Sequence, residues 1–448
     1  MTPSARIAGA IEVLADIDVK RRPAADALKE WGQMHRFAGS GDRAAIAGLV
    51  YDALRRRASA GYVMGEATPR AVMLGMLRLE RGLDVDAIAA LCDGSRFAPA
   101  QLSDDERAKL AESSLAGAPP HVAGDYPEWL ESSFATIFGE TRAEEGAALA
   151  SRAPLDLRVN LIKADRDRAS AELGEYNPEQ TGWSPWGLRI SVPPDAKSPA
   201  IQADPAFIKG HVEIQDEGSQ LAALLSGARP GEQVVDLCAG GGGKTLALAA
   251  MMENTGQIYA TDTDKRRLAP IHARLDRAGV RNVQVRTPRQ ASPSPARGGG
   301  PGRRHATDDV LSDLFGKIDL VLIDAPCTGT GSWRRNPDAK WRLRPGALEQ
   351  RRKDQAAALD RAVPLLKPGG RIAYVTCSVL DEENGAQIRD FLARHPGFSV
   401  EKPEQVAMTL GERAFLFCKT ALLTDTGLLM TPRRTGTDGF FVSLLRRS

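Results

Sequence analysis

A chain of 448 residues, 42% apolar and 26% charged, has room for two to four domains with core enough for each. A net charge of +2 does not by itself mark a nucleic-acid binder. The five cysteines (Cys92, Cys238, Cys327, Cys377, Cys418) lack CxxC or other metal spacing, which argues against a disulfide framework or a zinc site. No secretory apolar segment opens the chain and no apolar run approaches about eighteen residues, so a cytoplasmic setting with reduced thiols is expected.

Residues 1 to about 115 read as all-helical, with apolar residues at helical spacing in Ala8–Leu14 and Ala44–Leu54. Residues 1–65 hold ten Lys and Arg against seven Asp and Glu, with Arg55-Arg56-Arg57 as a cluster that reads as a solvated helix end or an RNA-facing patch. Ala118-Pro119-Pro120 and Tyr126-Pro127 mark a boundary. Leu157–Ile162 and Leu188–Val192 alternate as strands do, which predicts a small α+β module over 116–216. A third domain is expected over 217–448.

Within that third domain Val234-Val235-Asp236 runs as a strand into Leu237-Cys238-Ala239-Gly240-Gly241-Gly242-Gly243-Lys244-Thr245 and then a helix. Glycines let the backbone turn tightly against a ligand, and the helix start offers free N–H groups. A phosphate loop would need Gly at 238, where Cys238 stands, which disfavours a P-loop nucleotidase. Asp236 and Asp262, each at a strand end, suit a ligand with an amine and ribose hydroxyls, more like S-adenosylmethionine than a nucleoside triphosphate. Lys244 at a helix start is disfavoured by the helix dipole, so a specific partner is expected for it.

The stretch Pro288–His305 has eight Pro or Gly and four Arg in eighteen residues and no acid, and reads as a low-complexity basic insert. Beyond it, Ile318–Ile323 leads into Asp324-Ala325-Pro326-Cys327, and Arg371–Val375 leads into Thr376-Cys377-Ser378. Ligands of open α/β sheets bind outside the carboxyl ends of the strands, so Asp236, Asp262, Asp324, Cys327 and Cys377 should converge on one crevice. A free cysteine is commonly a small buried hydrophobe, and Asp324 could equally cap a helix. Two cysteines on the same rim favour chemistry.

These motifs, with Gln215–Gln220, Asp262-Thr263-Asp264 and Asp438-Gly439-Phe440-Phe441, resemble the Nop/Sun RNA (cytosine-5) methyltransferases, in particular the small-subunit rRNA methyltransferase B (RsmB) branch. The resemblance runs over essentially the whole chain. It implies a multidomain protein: an N-terminal all-α NusB-like RNA-binding domain (1–115), an RRM-like α+β module (116–216), and a C-terminal α/β Rossmann-like class I methyltransferase domain (217–448) with the 288–305 insert. The middle module lacks the aromatic signature that would show base stacking.

The same resemblance implies S-adenosylmethionine as cofactor, held by Cys238, Ala239, Gly240, Gly241, Gly242, Gly243, Lys244, Asp262, Arg267 and Asp324. It makes Cys377 the nucleophile and Cys327 the residue that assists product release. Asp324 then binds the N3/N4 edge of cytosine, and Lys244, bonding groups at the glycine loop, is counted among the catalytic residues. Trp333, Arg334 and Arg335, an aromatic beside basic residues after the Pro-Cys loop, suit RNA contact. The expected product is 5-methylcytosine in 16S rRNA, made by a monomer without a metal; the same chemistry on another RNA such as tRNA, or a non-catalytic RNA-binding or antitermination factor, are the alternatives. Two departures from the family pattern stand out. Gly241 occupies a place where many relatives have Pro, and Val283–Arg289 lacks the third-strand acid that contacts the adenine side of the cofactor, with Asp308 and Asp309 lying beyond the insert.

Overall fold

The structure, a computed structural model, describes residues 1–192, 199–287 and 310–448. The insert 288–305 and the acids Asp308 and Asp309 lie outside the described residues.

Helices run from Pro3–Lys20 to Asp104–Glu112, and their starts carry the signals that begin helices. Thr2, Thr68, Asp84 and Ser103 each accept a first-turn N–H, and Ser103 with Glu106 forms a reciprocal capping pair. Ile7, Val13, Leu14, Trp31, Ile46 and Leu54 close their common core. Gly9 lets Trp31 lie against the first helix, since a Cβ there would come within 2.8 Å of the indole.

The helical run does not end near 115. It continues through Glu131–Phe138 and Arg142–Ala150 before the first strand. Tyr126, Leu130, Phe134 and Leu149 belong to the same buried cluster as Val321, Ile323 and Tyr374 of the large sheet described below. Residues 126–150 are thus part of the C-terminal core, in place of the expected opening of the middle module.

Four antiparallel strands follow: β1 (Leu155–Val159), β2 (Glu179–Gln180), β3 (Gly187–Ile190) and β4 (Val212–Ile214), in the order β2-β3-β1-β4. The large sheet contains β5 (Gln233–Asp236), β6 (Gln257–Ala260), β7 (Val283–Val285), β8 (Ile318–Asp324), β9 (Leu366–Thr376), β10 (Phe398–Val400), β11 (Leu422–Leu423), β12 (Leu428–Met430) and β13 (Phe440–Arg447). Its order is β11-β12-β13-β9-β8-β5-β6-β7, with β10 also on β13. β5 to β9 are mutually parallel and β13 runs antiparallel to β9. The apolar runs Leu320–Ile323 of β8 and Ile372–Val375 of β9 are fully buried, as suits parallel strands covered on both faces. The strand order reverses between β5 and β8, so a crevice opens at their carboxyl ends. Among the described residues no helix is long and apolar enough to cross a membrane.

The Arg55-Arg56-Arg57 cluster is not a solvated helix end, because each guanidinium meets an acid. Arg55 is buried, pairs with Asp52 at 3.2 Å and donates to the Arg334 carbonyl at 3.0 Å. Arg56 pairs with Glu80 at 2.7 Å and Arg57 with Asp18 at 2.6 Å. From the other side, Lys340 is fully buried and donates to the carbonyls of Arg55 and Asp125 at 2.9 and 2.7 Å. Burial pulls its ammonium down to about 7. These bonds tie the front helices to the region after the Pro-Cys loop.

Candidate active site

β5 stops at Asp236 and the chain turns through Leu237–Gly242 into the helix Gly243–Met251. Gly242 has φ +84°, and a Cβ there would come within 2.5 Å of the Ile271 side chain, so only glycine fits. Gly240 is also left-handed, at φ +50°. Gly241 faces no such demand, and its carbonyl accepts Arg274 at 2.7 Å; the exchange of Pro for Gly there leaves the turn in place.

Asp236 is fully buried, and its Oδ2 accepts the Thr245 hydroxyl at 2.7 Å while Oδ1 has no protein partner. Burial pushes the carboxyl up to about 7 against the pull of Thr245, with Asp324 adding to the rise. A buried, half-satisfied carboxyl beside the glycine turn fits a ligand bearing an ammonium, as the methionine part of S-adenosylmethionine does. Just past β6, Asp262 accepts the N–H groups of Gly240 at 3.0 Å and Asp264 at 2.9 Å, with the Arg267 guanidinium 3.6 Å away. Past β7 the chain reaches Arg286, which lies 4.6 Å over the Tyr259 ring and bonds Asp313 at 2.9 Å.

Lys244 has the partner its position calls for. Its Nζ lies 2.8 Å from Asp324 at the end of β8 and 5.1 Å over the Phe440 ring. Three residues past Asp324, the Cys327 Sγ lies 3.3 Å from the Cys377 Sγ, which β9 delivers from the next strand. The neighbouring sulfur, and then burial, push the Cys327 thiol well above its ordinary range. Cys238 lies on the glycine turn, and burial pushes its thiol up too.

The sequence reading missed what holds the two cysteine segments. Glu383 is fully buried and accepts the Thr328 N–H at 2.8 Å and the Gln355 amide at 3.0 Å. Asn384 accepts the Thr376 hydroxyl at 2.5 Å and donates to the Ser378 carbonyl at 2.9 Å. The signal was the polar run Asp381-Glu382-Glu383-Asn384 so soon after Cys377.

Trp333, Arg334 and Arg335 do not form an RNA surface. Trp333 is 1% exposed and stacks on Phe134 at 6.1 Å, filling the core. Arg334 is 3% exposed and shares Asp216 and Asp438 with Arg335, whose contacts are 2.8 Å to Asp216 and 2.5 Å to Asp438. Both guanidinium groups are consumed by this four-charge cluster. An open cavity of about 320 Å³ lies beside the Pro-Cys loop instead, lined by Pro23 and Tyr51 of the front helices and by Thr328, Gly329, Asn336 and Arg342. A second one of about 480 Å³ shares Asp338 and Arg342 with it and adds Asp18, Arg21, Arg57 and Arg344.

The sheet order, the glycine turn and the acids at the strand ends define a Rossmann-like methyltransferase. A family model described as 16S rRNA methyltransferase RsmB/F matches residues 223–446. A probable ribosomal RNA small subunit methyltransferase B from Synechocystis sp. is 31% identical over 72% of this chain and 67% of its own length. The ribosomal RNA small subunit methyltransferase B of Sodalis glossinidius is 31% identical over 77% and 68%. The crystal structure of PH0851 superposes with a TM-score of 0.69 at 26% identity, covering 100% of this chain and 99% of that one. NSun6 from Pyrococcus horikoshii, solved with SFG, shares the fold at a TM-score of 0.56 and 20% identity over 72% of this chain and 98% of its own. The chain belongs to the RsmB/F family of 16S rRNA methyltransferases. It is an S-adenosylmethionine-dependent RNA cytosine methyltransferase.

Proposed function

We propose that the protein forms 5-methylcytosine in 16S rRNA with Cys377 as nucleophile, Cys327 as release residue, and Asp324, steadied by Lys244, on the cytosine N3/N4 edge. The observation that carries this reading is the pair of sulfurs 3.3 Å apart beside a lysine–carboxylate pair on adjacent strand ends. Carbon 5 of cytosine is a poor nucleophile. The Cys377 thiolate bonds to carbon 6 and drives electron density onto carbon 5, which is covalent catalysis. S-adenosylmethionine, when bound, supplies the electrophilic methyl group that carbon 5 takes. Cys327 then assists removal of the carbon-5 proton while the carbon 6–sulfur bond breaks and returns its electron pair to Cys377. The target base must be unpaired or flipped for Cys377 to reach it.

The cofactor would lie along the glycine turn from Cys238 to Lys244, with its ammonium near Asp236 and its ribose hydroxyls on Asp262 and Arg267. Asp262→Ala removes charge-assisted bonds of about 1.5–3 kcal/mol, so adenosylmethionine should bind roughly tenfold to a hundredfold more weakly. Titration calorimetry showing unchanged affinity removes Asp262 from the site.

The front helices would act as the NusB-like RNA-binding domain and the four-stranded sheet as the RRM-like module, in a monomeric cytoplasmic enzyme that needs no metal. The antiparallel order β2-β3-β1-β4 supports the second assignment. Bisulfite sequencing of 16S rRNA and tRNA from the parent, a deletion strain and the complemented deletion strain tests the whole reading. One 16S cytosine should lose and regain its mark. A mark lost from tRNA alone would move the substrate, and no lost mark would overturn the activity.

A further inference from the structure

We infer that Glu383 is a positioning residue for product release: it fixes the Pro-Cys loop so that Cys327 stays against Cys377. This inference rests on the release role of Cys327 given above and goes beyond it. Glu383 ends the short turn Asp381–Glu383, six residues past Cys377. One carboxylate oxygen accepts the Thr328 N–H at 2.8 Å and the Gln355 amide at 3.0 Å, and the other accepts the Thr328 hydroxyl. Gln355 also donates to the Pro326 carbonyl at 3.0 Å. The residues on both sides of Cys327 are therefore held by one glutamate–glutamine pair.

The glutamate is itself anchored to the strand that delivers the nucleophile. The Tyr374 hydroxyl, on β9, donates to the Glu383 carbonyl at 2.6 Å. A chain of short bonds thus runs from β9 through Tyr374 and Glu383 to Thr328, and it sets the distance between the two sulfurs. Ser133, Thr328, Gln355 and Tyr374 crowd this turn, and no solvent reaches Glu383 to take over its bonds. The Cys327 sulfur meets the Cys377 sulfur and the Gly329 backbone of its own loop, so its placement depends on how that loop is held. Asn384, the next residue, holds Thr376 and Ser378 on either side of Cys377 in the same manner. Neighbouring residues of one turn thereby brace the two cysteines separately.

Attack by Cys377 and methyl transfer do not need Cys327, whereas removal of the carbon-5 proton does. A misplacement of about 1 Å in a reacting group can cost on the order of a hundredfold in rate. Loss of Glu383 should therefore slow the last step and spare the first two.

The test compares Glu383→Ala, Glu383→Gln and Cys327→Ala with the parent, using 16S rRNA and adenosylmethionine. Single-turnover methyl transfer and denaturing gels are read together. Glu383→Ala should methylate its first equivalent of RNA within a few-fold of the parent rate. Its steady-state turnover should fall about a hundredfold, and a denaturant-resistant protein–RNA adduct should build up. Glu383→Gln keeps an acceptor for the Thr328 N–H, so it should show the same pattern more weakly; it carries the test if the alanine variant does not fold. Adduct with Cys327→Ala but with neither Glu383 variant overturns this inference alone. First-turnover transfer falling in step with steady-state turnover would do so as well, because it makes the role merely structural. No adduct with Cys327→Ala overturns the release role on which the inference rests.

Discussion

Cys377→Ala should form neither methylated RNA nor a covalent adduct, while Cys327→Ala should methylate one equivalent and then stall as an adduct that survives denaturant. The asymmetry follows from when each sulfur acts. Without the Cys377 thiolate, carbon 5 is never activated and the reaction does not begin. Without Cys327, carbon 5 still receives its methyl group, but its proton has no nearby acceptor and the carbon 6–sulfur bond persists. The 3.3 Å separation of the sulfurs makes both groups available to one base. Denaturing gels with labelled RNA decide the matter. An adduct with Cys377→Ala and an inert Cys327→Ala would exchange the roles.

Asp438→Ala should cost about 3–5 kcal/mol of stability, because it strips one of two carboxylates from a buried cluster holding two guanidinium groups. Asp216 alone would face both Arg334 and Arg335. Burial opposes its charge, yet the arginines hold Asp216 below the usual carboxylate range in the intact cluster. The damage should reach the site, since the next residue, Gly439, donates its N–H to the Gly331 carbonyl at 2.8 Å. Gly331 in turn donates to the Cys377 carbonyl at 3.0 Å. Chemical unfolding followed by circular dichroism measures the loss. A shift below about 1 kcal/mol would show that water or a rearranged loop compensates Arg334.

What the sequence made legible is what depends on near neighbours. The apolar runs of β8 and β9, the glycine turn and the strand-end placement of Asp324 and Cys377 all follow from local pattern, and they are found as read. Trp333, Arg334 and Arg335 were misread because their partners are remote. Phe134 lies about two hundred residues earlier, and Asp216 and Asp438 are each more than a hundred residues away. A tryptophan beside two arginines looks alike whether it faces RNA or fills a core. The same holds for Arg55, whose carbonyl and guanidinium both meet groups beyond residue 330. Glu383 was passed over because the polar run after Cys377 marks a place to look without showing which of its acids is fully enclosed.

The stack of Tyr126, Phe134 and Trp333 bears on where this molecule can be divided. The family match begins at residue 223, yet Leu130, Phe134 and Leu149 are completely enclosed by the same cluster as the central strands. A catalytic cassette cut at 217 would bare the indole face of Trp333 immediately after the Pro-Cys loop and lose the Ser133 bond to Glu382. The stretch 126–150 is therefore a detached wall of the enzyme, threaded ahead of the small sheet. An exchange of front domains between relatives keeps the catalytic core whole only when the junction lies before Tyr126.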